Sequence, residues 1–214
     1  MANNFKNAVV YNVSADETLP STIYTTPTSK KAIAIEIDVS NNSSAGVTVT
    51  TLMEDESQSA SSDLSITNVA GTNGSTDTVF TTASSHGYTV NDRIRFNQAA
   101  GTAPGAITGG AEGTGKIYYV ATVDSATTFK AGISRGATTY IQCSSAGTNP
   151  AVRKLYIVTV VRNAPVPVGS TLKVIAGQKL VLESSSATVH DKILAWCSSA
   201  NNVDCIASVL EDVS

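Results

Sequence analysis

Cys197 and Cys205 are the two residues whose spacing best suits them to react with each other. They flank the polar loop from Ser198 to Asp204. A hairpin symmetric about Asn201 pairs Ser199 with Val203, Cys197 with Cys205, Ala195 with Ala207 and Ile193 with Val209. Cys197 then faces Cys205 directly, on an apolar face that points into a core. Directly opposed cross-strand cysteines are close enough for a disulfide. The other reading is a pair of small buried hydrophobes, and the redox compartment decides between the two. Cys143 lies in a different segment. There is no C-x-x-C pattern, so no zinc site is expected.

Other chemistry-bearing residues lack partners at useful spacing. His86 sits in the turn Ser84 to Tyr88, and His190 begins a strand far along the chain. A general base or ligand needs a neighbouring acid or metal, and neither context supplies one. Glu54, Asp55 and Glu56 are consecutive, without the spaced oxygens and glycine of a calcium loop, and read as a solvated linker. Gly110 to Lys116 fits the first seven positions of a phosphate loop. Ile117 then replaces the Ser or Thr that would hold magnesium, and a strand follows where a helix is needed. No catalytic residue, cofactor or metal is expected.

The elements that must position these residues are strands. Only 14% of the 214 residues are charged, and Thr, Ser, Ala, Val and Gly stand in their place. The net charge is −3 and no basic run exceeds two residues, which disfavours a nucleic-acid groove. No apolar run approaches the roughly 20 residues that span a bilayer, so no membrane is expected as a partner. The N-terminus has no charged region followed by an apolar one, so folding is expected in a cytoplasm.

Alternation dominates the chain. Ala32 to Val39 places Ile33, Ile35, Ile37 and Val39 on one face, and with Val47, Val49 and Thr51 across the turn Ser40 to Gly46 it reads as a hairpin. Beyond Met53 the texture changes to short strands and Gly/Ala/Thr loops. Gln98 to Gly115 carries six glycines and reads as a surface loop. The first texture returns near Val152, followed by an extended connector from Asn163 to Gly169. Trp196, Leu194, Ile206 and Leu210 form a second apolar face on the terminal hairpin, to be covered by the inserted module, the rest of the chain or a neighbouring subunit. The expected fold is all-β: an antiparallel β-sandwich of residues 1–58 plus 151–214, with a small β-barrel-like module of residues 62–150 inserted at a hairpin tip.

Two patterns are familiar. Val161 to Leu172, Gly177 to Glu183 and Asp204 to Glu211 resemble a small β-sandwich family of tailed bacteriophages with the pattern P-x-P-x-G-S-x-L, G-x-K-L-V-L-E and S-x-L-E. Ser184 to Ala187 stands where that family usually has Gly-Asp, so this turn departs from the pattern. The middle resembles a module recurrent in phage tail and virion proteins, through Phe80 to Ala83, His86, Gly87, Tyr88, Asp92 to Phe96, Tyr118 to Val120 and Phe129. Asn91 replaces the usual glycine there.

The resemblance implies a structural virion protein without enzymatic activity, assembled in a host cytoplasm. It would sit at the neck or collar, on the tail surface or on the capsid, and its partners would be other virion proteins and copies of itself. Residues 1–12 would then be an arm for pairing with a neighbour's sheet edge. The competing expectation is a displayed module that binds a host glycan or receptor.

Overall fold

A computed structural model describes residues 4–60, 63–72, 77–97, 104–105, 116–175, 179–199 and 202–212. The loop 98–115, apart from Pro104 and Gly105, and the phosphate-loop near-match before Lys116 lie outside them. In chain order the elements are β1 (Asn4–Val10), β2 (Ser21–Thr25), β3 (Lys31–Asn41), β4 (Val47–Asp55), the short α1 (Glu56–Ala60), β5 (Leu64–Ala70), β6 (Val79–Thr82), β7 (Arg93–Asn97) and β8 (Tyr118–Val123). They continue with β9 (Thr128–Gly132), β10 (Ala151–Lys154), β11 (Tyr156–Val166), β12 (Thr171–Ile175), β13 (Leu180–Glu183), β14 (Lys192–Cys197) and β15 (Val203–Glu211). The chain is all-β, with antiparallel sheets and a closed six-stranded barrel.

Two compact units form, one from Met1–Gln58 with Tyr156–Ser214, the other from Ser59–Leu155. The expected boundary before residue 151 assigns the whole of the barrel strand β10 to the sandwich. β10 pairs with β5 and β7, and Val152 is fully buried in the barrel core. The first unit resumes at Tyr156, which pairs with Asp55 across β11 and β4.

In the first unit, one sheet runs β1-β15-β3-β12, with β13 also on β3, and the other runs β11-β4-β14-β2. Their apolar faces form one core, in which Ile37, Val39, Val49, Ile193, Ala207 and Val209 are wholly buried. β3 and β4 are in different sheets, so the expected hairpin is an arch. Its corner is Asn41, 1% exposed. The Asn41 amide nitrogen donates to Ala45 O at 2.8 Å and Val166 O at 2.9 Å, and its oxygen accepts from the Ser43 amide at 2.9 Å. These bonds satisfy backbone carbonyls that the change of sheet removes from a ladder. The expected connector from Asn163 continues β11 as far as Val166, and Pro165 is tolerated because β11 is an edge strand.

β3 does not keep one phase. Ala34 pairs with Val209 and Glu36 with Ser208, which leaves Ile35 as the extra residue of a bulge. Ala32 and Ala34 face the core before it, and Ile37 and Val39 after it. Ile33 and Ile35, expected in the core beside Ile37, are only half-buried.

The barrel closes in the order β10-β5-β6-β9-β8-β7. Phe80 and Phe129 are fully buried with ring centroids 5.4 Å apart, and Phe96 packs 4.7 Å from Phe80. Asn91 has φ 74 and accepts the Gly136 amide at 2.7 Å. The left-handed turn is thus kept by one of the few side chains that tolerate it.

Two expectations follow. Asn41→Ala removes the donor to the buried Val166 carbonyl and lowers stability by about 1–3 kcal/mol in urea unfolding. At Gly132 an added Cβ collides with Ala137 Cβ and the Thr139 carbonyl, whereas at Gly46 it meets open space. Gly132→Ala is therefore expected to cost about 1–3 kcal/mol, and Gly46→Ala to stay within about 0.5 kcal/mol of wild type, in the same titration.

Candidate functional site

The sequence-predicted cysteine pair is not formed. β14 belongs to one sheet and β15 to the other, so Cys197 lies across from Val49 while Cys205 lies across from Val39 and Val10. Both thiols are free and wholly buried in the same core. The reason is topological. An apolar alternation on each strand is satisfied equally by a hairpin and by two sheets facing one core. The Cys197 thiol donates to Ser199 O at 3.0 Å and Val13 O at 3.3 Å. Burial, with a smaller contribution from Asp38, pushes the Cys205 thiol up to about 12. Burial also raises Cys197 and Cys143. The thiolate is the nucleophile, so these are core residues.

The histidines lie in separate units. His86 is 9% exposed, accepts the Tyr88 amide on Nδ1 at 2.9 Å, stacks on the Tyr88 ring at 4.6 Å and meets the edge of Phe129. With Gly87 at φ 61 it builds a turn that is packed onto the barrel core. His190 bonds the Thr26 carbonyl and the Ser184 hydroxyl through Nδ1, and the Ala187 carbonyl through Nε2.

The acidic run is not a solvated linker. Glu54 is fully buried near the end of β4 and Glu56 is 5% exposed. Asp55 accepts the Gln58 amide at 3.0 Å and the Ser57 hydroxyl at 2.7 Å, which caps α1. The Asp191 carboxylate accepts the amides of Glu56 and Glu183. Burial raises its pKa, against the lowering effect of those two bonds. Polar groups here hold backbone. Among the described residues no group of three His, Cys, Asp or Glu side chains could hold a metal ion. A shallow groove of about 250 Å³ runs between β5 and residues 146–150, lined by Thr67, Asn68, Val69 and Asn149 among others, with no ionisable side chain.

The distinctive surface is the outer face of the β1-β15-β3 sheet. Cross-strand partners place Phe5, Leu210, Ile33 and Val181 in one row over four strands. Phe5 is 70% exposed and Val181 50%, while Leu210 and Ile33 are half-buried. A second row runs Val9, Ile206, Asp38, Lys173, with Val9 and Ile206 about two-fifths exposed and Lys173 ion-paired to Glu36. β1 is the edge of this sheet, paired only with β15 among the described residues.

The expected second apolar face of the terminal strands is therefore divided. Ile206 and Leu210 lie on this outer face, whereas Leu194 is buried on the other sheet. The sequence signal for the surface was the apolar character of both faces of β15, which marks a strand covered on two sides. Ile33 was missed because the bulge at Ile35 reverses the alternation.

No protein-family model, no curated protein and no solved structure matches the chain.

The burial of every cysteine gives a test. Native protein is expected not to react with a thiol reagent such as DTNB at pH 8, and to release three equivalents after denaturation without reductant. Fewer than three would reveal a disulfide.

Proposed function

We propose that the protein is a non-enzymatic structural component of a tailed-phage virion, an accessory neck, collar, tail-surface or capsid-decorating protein that stabilises the particle through subunit contacts. The observation that carries this reading is the outer sheet face, where exposed Phe5, Val9, Ile206 and Val181 adjoin an open strand edge. Two exposed apolar rows, parted by the polar row of Asn7, Ser208 and Glu36 and lying beside unpaired strand backbone, suit protein–protein association. The buried Asn41 and Asp191 and the half-buried Asp55 fasten backbone, in keeping with a role as a rigid building block.

The motif residues that resemble phage modules support the reading from the sequence side. Gly169, in the P-x-P-x-G-S pattern, has φ 65, and Ser170 closes that turn onto the Pro167 carbonyl at 2.8 Å. His86, Gly87 and Asn91 likewise set turns. These residues act as architecture, in keeping with a structural role.

The test is to tag the full-length protein in the phage that encodes it. The expected result is a discrete, repeated label on imaged particles, and loss or fragility of particles when the gene is disrupted. Intact particles without label overturn the proposal. Selective binding to a glycan array in that case would favour a host-recognition module.

A further inference from the structure

Building on the assembly role proposed above, we infer that two copies of the chain associate through β1, edge to edge and antiparallel about a two-fold axis, so that their β1-containing sheets become one. Alternate residues of β1 turn their amide and carbonyl groups away from β15. What satisfies such an edge is another strand. Two of the usual protections are missing from this one, and the third, an edge charge, is engaged within the chain. β1 has no proline, and its seven pairs with β15 are continuous, without a bulge. Its single charge, Lys6, lies 3.5 Å from Glu211 and 5.9 Å from the centre of the Tyr24 ring.

The identity of the partner comes from the symmetry of the strand. In a register centred on Asn7, Phe5 lies opposite the partner's Val9, Lys6 opposite the partner's Ala8, and Asn7 opposite the partner's Asn7. Opposed residues share a face in an antiparallel pair. Phe5 and Val9 both lie on the outer face, equidistant from Asn7, so the two-fold makes the Phe5–Val9 contact twice, once on each side of the axis. The apolar row Val181, Ile33, Leu210, Phe5 then runs on into the partner's Val9 and the partner's Ile206. Each Lys6 keeps its own Glu211 and meets a small neutral residue, so no like charges are directly opposed. An unrelated strand would not call for this palindromic placement.

Sedimentation of the full-length protein is expected to show a concentration-dependent dimer. Phe5→Lys should weaken it by about 10-fold or more without unfolding a chain in which Phe5 is 70% exposed. Asn7→Cys places a thiol opposite itself on the axis, within disulfide reach. Mild oxidation should then give a covalent dimer, the native thiols being buried. Phe5→Cys should not couple to itself but should couple to Val9→Cys when the two variants are mixed. A protein that stays monomeric at about 100 μM, or a dimer in which Asn7→Cys does not cross-link, overturns the inference. A monomer that is nevertheless found in particles leaves the virion role standing, whereas a cross-linked dimer absent from particles removes the role and keeps the dimer.

Discussion

The Asn41 side chain sits where the chain leaves one sheet and enters the other, and much of the sandwich follows from that corner. A strand that changes sheet gives up its ladder partners, and the backbone it exposes to the interior must find others. Asn41 supplies them to both the arch behind it and the start of the next connection, through Ala45 and Val166. β3 and β4 can therefore be neighbours in sequence and opposite each other in space. The same division recurs at the other end, where β14 and β15 take different sheets. Both arches direct their apolar faces toward a single core, and that is why two cysteines eight residues apart are buried together without being cross-strand partners.

A bulge of one residue decides what the surface presents. Without it, Ile33 and Ile35 would join Ile37 in the core and the outer face would carry the alanines. With it, the small Ala32 and Ala34 go inward beside Leu182 and Leu180 of β13, and Ile33 joins Leu210, Phe5 and Val181 outside. The apolar surface is thus a product of backbone phase, at a site where bulges commonly redirect side chains. It also links the fold to the proposed role, because the row ends at the unpaired edge of β1.

Much of the architecture was legible in the residues. Alternation in Ala32 to Val39, the turn formers of Ser40 to Gly46 and the change of texture after Met53 pointed to an all-β chain. Which strands share a sheet was not legible, because a hairpin and an arch impose the same period of two on their strands. The phase change at Ile35 was hidden for a related reason: Ala and Ile are both apolar, so a run of them fits either register. Glu54 to Glu56 looked solvated because burial of an acid depends on partners such as Asp191 and Lys192, more than 130 residues away. The outer face was legible only in part, through Ile206 and Leu210. Phe5 and Val9 lie in a weakly patterned strand whose place at a sheet edge is a tertiary fact.

The pairing of Asp55 with Tyr156 has a consequence for folding. To the sandwich, everything between those residues is one connection of about 100 residues joining β4 to β11. Closing so long a connection from a disordered chain costs on the order of 3 kcal/mol more than closing a tight turn. A barrel that has already folded brings its two ends under control and removes most of that penalty. With β5 and β10 paired, a folded barrel shortens the effective connection between β4 and β11, so melting the inserted unit alone is expected to lower the stability of the sandwich.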